Sequence, residues 1–120
     1  MVDKQSIAKY VTTHAAKTSQ GLCARYCRLA FEAGGIDTTG HPGDAKDYGP
    51  LLLRDGALQL SPTGYVAQLA DVVVFDGIAA HPHGHIAIFN GTQWVSDFVQ
   101  HNMCPYVVAP PSHLYRFASN

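Results

Sequence analysis

A chain of 120 residues, nearly half of them apolar and 14% charged, is long enough for one hydrophobic core and too short for two independently stable domains. The formal net charge is −1 and the eight Lys and Arg residues form no basic stripe, which excludes nucleic acid as a partner. No stretch has the length of a membrane span, and residues 1–17 lack the apolar run of a secretory signal, so one soluble domain over residues 1–120, made in the cytoplasm, is expected.

Residues 3–16 set Ile7, Ala8, Val11 and Ala15 at helical spacing, with Asp3 or Ser6 as an early cap, and predict a first helix. Thr18-Ser19-Gln20-Gly21 breaks the pattern and offers capping hydroxyls. From residue 22 to 33 apolar residues recur three and four apart until Gly34-Gly35 stops them, a second helix. Residues 36–50 are rich in Gly, Pro, Asp and Thr and read as a long irregular connection, with a short helical piece over 45–53.

Beyond Gly64 the runs 71–75, 85–89, 94–99 and 113–117 are β-branched or aromatic, are punctuated by Gly, Pro and Asn, and predict antiparallel strands. Helices first and strands afterward predict an α+β domain, with N-terminal helices packed on an antiparallel β-sheet.

Cys23, Cys27 and Cys104 leave one thiol unpaired whatever the other two do, so a disulfide framework does not specify the fold; a Cys27–Cys104 pair stays open. Cys23 falls in the first turn of the second helix, where free backbone N–H groups and the helix dipole favour a thiolate, the nucleophilic form. Cys27 lies one turn deeper, beside Ala30 and Phe31 on a core-facing stripe, and is assigned to packing.

Seven histidines exceed what a core needs, and His81, His83 and His85 alternate along one segment. A zinc site is one reading of that alternation, although Pro82 and Gly84 place His81 and His83 in a loop. The other is a catalytic base at His85, which opens an apolar strand behind a glycine that lets another backbone approach.

A third group should orient the imidazole, and Ser96, Asp97 and Asn102 are the nearest candidates. A two-residue turn at Asn90-Gly91 sets His85 opposite Ser96; a three-residue loop at residues 89–91 brings Asp97 to the face of His85. Asp97 is favoured because a carboxylate beside Nδ1–H fixes the tautomer and stabilises the imidazolium. Tyr26 and Trp94 suit either the cleft wall or the core.

Ser19-Gln20-Gly21-Leu22-Cys23-Ala24-Arg25-Tyr26, then Leu69-Ala70-Asp71-Val72-Val73-Val74-Phe75, then Gly84-His85-Ile86-Ala87-Ile88-Phe89, resemble in order the three signature blocks of the NlpC-type and CHAP peptidoglycan amidases. Gln93-Trp94-Val95-Ser96-Asp97-Phe98 resembles the strand of the third catalytic group in amidase effectors of type VI secretion and related phage lysis enzymes. The resemblance covers residues 19–98 and implies a papain-like α+β fold with Cys23 as nucleophile, His85 as base and Asp97 as orienting acid. Many members carry His, Asn or Glu at the third position.

It also implies a peptidoglycan peptide as substrate, no cofactor or metal, action in the periplasm or cell wall of a target cell or at host lysis, and a cognate immunity protein that occludes the cleft. Within this reading His85 deprotonates Cys23, the thiolate attacks a stem-peptide or cross-link amide, the Cys23 N–H holds the oxyanion, and water hydrolyses the thioester. An acyl transferase with the same triad, an inactive binding module and a zinc-binding module on His81, His83 and His85 are the alternatives.

Overall fold

In the computed structural model, which describes residues 2–118, the first helix, α1, spans Lys4–His14. Asp3 caps it: one carboxylate oxygen accepts the Ser6 N–H at 3.0 Å and the other the Ser6 hydroxyl at 2.8 Å. Ile7, Ala8 and Val11 form its buried stripe. The second helix, α2, spans Cys23–Ala33 and buries Cys27, Ala30 and Phe31, again three and four residues apart. It stops at Gly34, where any side chain would run into Ile7, so the close packing of α1 on α2 requires a glycine.

The connection that follows holds a 3-10 turn at Ala45–Asp47 and a short helix, α3, at Gly49–Arg54. Then come β1 (Leu58–Leu60), β2 (Val72–Phe75), β3 (His85–Phe89), β4 (Trp94–Val95) and β5 (Ser112–Arg116). They form a five-stranded antiparallel sheet in the order β1-β5-β2-β3-β4. The α+β expectation, helices packed on an antiparallel sheet, is met. Strand β1 was not foreseen, because Leu58-Gln59-Leu60 is three largely exposed residues at a sheet edge, too short for its alternation to stand out.

One face of the sheet, with Val72, Val74, Ile86 and Ile88, packs under Ile7, Cys27 and Phe31; the rings of Phe31 and Phe117 meet edge to face with centroids 5.9 Å apart. Each large side chain buried there contributes about 1.5–3 kcal/mol. The other face, with Val73, Phe75, Ala87, Trp94 and Leu114, is covered by Leu60, Tyr65, Ala67 and Met103. Both faces are therefore dry, which explains why β2 reads as an unbroken apolar run.

Buried Asp71 pins the entry to β2. It accepts the Tyr65 hydroxyl at 2.7 Å, the Gln68 N–H at 2.9 Å and a two-pronged Arg116 guanidinium at 2.9 and 2.8 Å.

Two local features differ from expectation. The β3–β4 loop is the four-residue stretch 90–93, with Asn90 Oδ1 accepting the N–H groups of Thr92 and Gln93, so neither shorter loop applies. The strand expected over 94–99 ends at Val95: the Ser96 N–H donates to the Phe98 carbonyl, and the chain turns back so that Val99 bridges Val95 and the Gln100 N–H reaches the Trp94 carbonyl at 2.9 Å.

Candidate active site

The start of β3, the loops beside it and the start of α2 enclose a cleft of about 570 Å³ whose lining includes Cys23, His85, Asp97, Phe98 and Tyr106. Cys23 enters it from the first turn of α2. His85 enters it as the first residue of β3, paired with Phe75 across the sheet. Gly84, at φ +71, makes that entry possible: a Cβ there would meet the Phe75 carbonyl and the Lys46 side chain.

Buried His85 presents Nε2 to the Oε1 of Gln100 at 2.7 Å. The amide nitrogen of Gln100 is committed elsewhere, donating to the carbonyls of Asn102 and Met103, both at 3.0 Å. Turning the amide over would set its oxygen against two carbonyl oxygens, so Oε1 faces the ring. The ring nitrogen opposite it must then be the donor, Nε2–H, which leaves Nδ1 as the basic nitrogen of the neutral imidazole.

Asp97 stands elsewhere in the same cleft. One carboxylate oxygen accepts the N–H of Gln20 at 2.6 Å and of Leu22 at 3.1 Å, with the Ser19 hydroxyl at 3.5 Å; the other accepts the Ser96 hydroxyl at 3.1 Å. The hydrogen-bond partner expected at Asp97 is thus found at Gln100. Continuing the Ile88–Val95 register would set Asp97 opposite Ile86, off the face of His85. The tight turn at residues 96–98 then aims Asp97 at the head of α2 and returns Gln100 alongside Trp94.

Leu22, the cap position of α2, makes no side-chain cap bond, so the capping hydroxyls expected from Thr18 and Ser19 are replaced by Asp97.

The charge states of the pair differ from what the helix start alone suggests. Burial, the largest cause, pushes the Cys23 thiol above its ordinary range and Asp97 adds to this; the amides of Ile86, Ala24 and Cys23 pull the other way and lose. Burial likewise holds His85 below the usual histidine range, against the pull of Gln100 and Asp97, with His81 adding to the depression. At neutral pH the resting pair is therefore a thiol and a neutral imidazole.

The other candidates sort themselves by contact. Cys27 is fully buried on the helix-facing side, its thiol 3.7 Å from the Ile86 carbonyl, whereas Cys104 packs against the opposite face of the sheet; all three cysteines are free. His81 stacks on Tyr106 with ring centroids 3.9 Å apart, and His83 pairs with Asp44 at 2.8 Å. Among the described residues no set of three His, Cys, Asp or Glu side chains converges as a metal site, so the zinc reading finds no ligand cluster. Trp94 is buried in the core and Tyr26 lines a separate groove with Tyr10 and Leu29; neither lines the cleft of Cys23 and His85.

Gln100 and Tyr106 were missed. Tyr106 edges onto His85 with centroids 5.8 Å apart, its hydroxyl donates to the Gly84 carbonyl at 3.3 Å, and burial raises its phenol to about 12. Neither residue carries a periodic or motif signal; both sit in irregular chain that tertiary contacts bring to the cleft.

No family model and no curated protein matches the sequence. Among solved structures, a chain of the native type VI effector–immunity complex Tae3–Tai3 from Ralstonia pickettii is 36% identical, covers 97% of this chain and 99% of its own, and superposes with a TM-score of 0.85. The selenomethionine form of that complex matches at 38% identity over 92% of this chain and 99% of its own, with a TM-score of 0.83. The likeness is thus one of sequence as well as of architecture, over more than nine-tenths of the chain.

Proposed function

The chain belongs to the Tae3 family of type VI effectors, and on that premise we propose that it is a peptidoglycan amidase with Cys23 as nucleophile and His85 as general base. The observation that carries this reading is the meeting of Cys23 and His85 on one cleft, with the Nε2 of His85 already taken by Gln100. The papain-like fold agrees with the likeness to Tae3, and the three ordered sequence blocks support the finer kinship with NlpC-type and CHAP amidases.

Since thiol and imidazole are both neutral at rest, catalysis begins with proton transfer from the Cys23 sulfur to His85 Nδ1 as the sulfur attacks the amide carbon. The oxyanion forms beside the Cys23 N–H at the helix start; such a donor typically contributes about 100-fold to 1000-fold in rate. His85 then gives its proton to the departing nitrogen, leaving a thioester on Cys23 and a free amine. Water, deprotonated by the same Nδ1, cleaves the thioester and restores the thiol. A peptide bond in a stem peptide or cross-link is the substrate, and no cofactor enters.

As a type VI effector the chain would be delivered to the periplasm of a target cell and countered in the producing cell by a cognate immunity protein seated over the cleft; the matching structures are themselves effector–immunity complexes. Turbidity of purified sacculi tests the activity: the native chain clears the suspension and Cys23→Ala does not. Clearing by Cys23→Ala at the native rate would exclude Cys23 as nucleophile.

A further inference from the structure

We infer that Asp97 is a positioning residue for the nucleophile rather than for the base: its buried carboxylate caps α2 from a distant turn and holds residues 19–22 so that Cys23 faces His85. The inference rests on the reading of Cys23 as nucleophile. The segment before α2 has no cap of its own: Leu22 occupies the cap position without a side-chain acceptor, and Gly21 stands in the left-handed region at φ +69. Asp97 takes the N–H of the cap residue Leu22 and of Gln20 ahead of it, and brings its charge to the positive end of the helix dipole.

Asp97 reaches this place from 75 residues along the chain. It is itself fixed at two points. The Ser96 hydroxyl donates to Oδ1, and the Ala16 N–H donates to the Asp97 carbonyl at 2.8 Å as part of the parallel bridge between Ala16 and Phe98. The tight turn at residues 96–98 thus ties both ends of the loop between α1 and α2, at Ala16 and at Leu22, to one residue. Loss of that tie frees the loop that leads into Cys23 at both of its ends.

The clamp and an orienting acid differ in what they ask of the side chain. A clamp needs an acceptor: in Asp97→Asn the carboxamide oxygen can take both amides as Oδ2 does now, while its NH₂ faces the Ser96 hydroxyl, which accepts as well as donates. An orienting acid needs the charge, and its amide typically loses about 10⁴-fold in kcat because the histidine adopts the wrong tautomer.

The charge of Asp97 also acts on both members of the pair. It opposes thiolate formation at Cys23, alongside burial and against the Ile86 and Ala24 amides, and it favours the His85 imidazolium.

The test compares Asp97→Ala and Asp97→Asn in the full chain by melting temperature, kcat and KM on soluble muropeptides, and the pH profile of Cys23 alkylation by iodoacetamide. Asp97→Ala should lower the melting temperature and reduce kcat by about 10- to 100-fold, a share of the about 10²- to 10⁴-fold that the base supplies. Asp97→Asn should restore the melting temperature and most of kcat, with alkylation beginning at lower pH than in the native chain.

A fall in kcat of about 10⁴-fold in Asp97→Asn at unchanged melting temperature would overturn the inference in favour of an orienting acid. Native behaviour of Asp97→Ala in melting and alkylation would overturn it too. Should Asp97→Ala not fold, Asp97→Asn alone decides by the same two readings. If the native chain cleaves no muropeptide, the amidase reading fails, while melting and alkylation still judge the clamp.

Discussion

The Oε1 of Gln100 lies 2.7 Å from the Nε2 of His85, and the amide that carries it is anchored by the carbonyls of Asn102 and Met103. A neutral carboxamide therefore selects the tautomer of the imidazole. Gln100→Ala should reduce kcat by about 10- to 100-fold while leaving KM near native, less than removal of the base itself, which is worth about 10²- to 10⁴-fold. Steady-state kinetics on muropeptides check this, and ¹⁵N NMR of the His85 ring should show Nδ1 without a proton in the native chain.

The depressed His85 sets the acid side of the pH profile. Nδ1 must be unprotonated to accept the thiol proton, so the acid limb of kcat/KM should lie below 6.5, where an ordinary histidine titrates, and activity should persist in mildly acidic buffer. Stability follows the same sign: the unfolded chain takes up a proton at this histidine before the folded chain does, so its contribution is full above 6.5 and is lost as pH falls toward the lower folded value. Melting temperature measured against pH in the native chain and in His85→Gln should show this loss only in the former.

Gly84 is the backbone condition for the base. A side chain there meets the Phe75 carbonyl and the Lys46 side chain, and φ is +71. Gly84→Ala should cost about 1–3 kcal/mol in stability, the usual scale for backbone strain at such a position, and should reduce kcat because His85 is the next residue. Thermal denaturation and turnover, measured on the same preparation, check both effects.

Cys23 and Cys27 sit one helical turn apart and should respond in opposite ways. Cys27, buried and boxed in beside the Ile86 carbonyl, contributes packing: Cys27→Ala should lose about 0.5–3 kcal/mol of stability with kcat retained. Cys23→Ala should keep the melting temperature and lose turnover. Because burial raises the Cys23 thiol above its ordinary range, alkylation of the free protein should be slower at neutral pH than that of a free cysteine and should rise steeply only above pH 9.

Much of the fold was legible because local rules and global packing agree. Ile7, Ala8 and Val11 at helical spacing, the Asp3 cap, the Gly34 stop and the apolar runs at β2 and β3 each announce their element. Of the site, Cys23 and His85 were legible as chemistry-bearing residues at element boundaries, one opening α2 and the other β3. The partner of His85 was not, because extending the strand through residues 96–99 hid the turn that carries Asp97 away and brings Gln100 in. The state of the thiol was misread for a related reason: a helix start favours an anion, but here Asp97 already occupies that start and burial outweighs what the amides supply.

Digestion of purified muropeptides by the native chain and by Cys23→Ala, followed by mass spectrometry of the products, tests the central claim most directly. The native chain is expected to split one amide bond, its two products together exceeding the substrate by the mass of one water, and Cys23→Ala to leave the substrate intact. The same products from Cys23→Ala at an undiminished rate would contradict a thiol mechanism, and a product carrying an added amine in place of water would contradict hydrolysis.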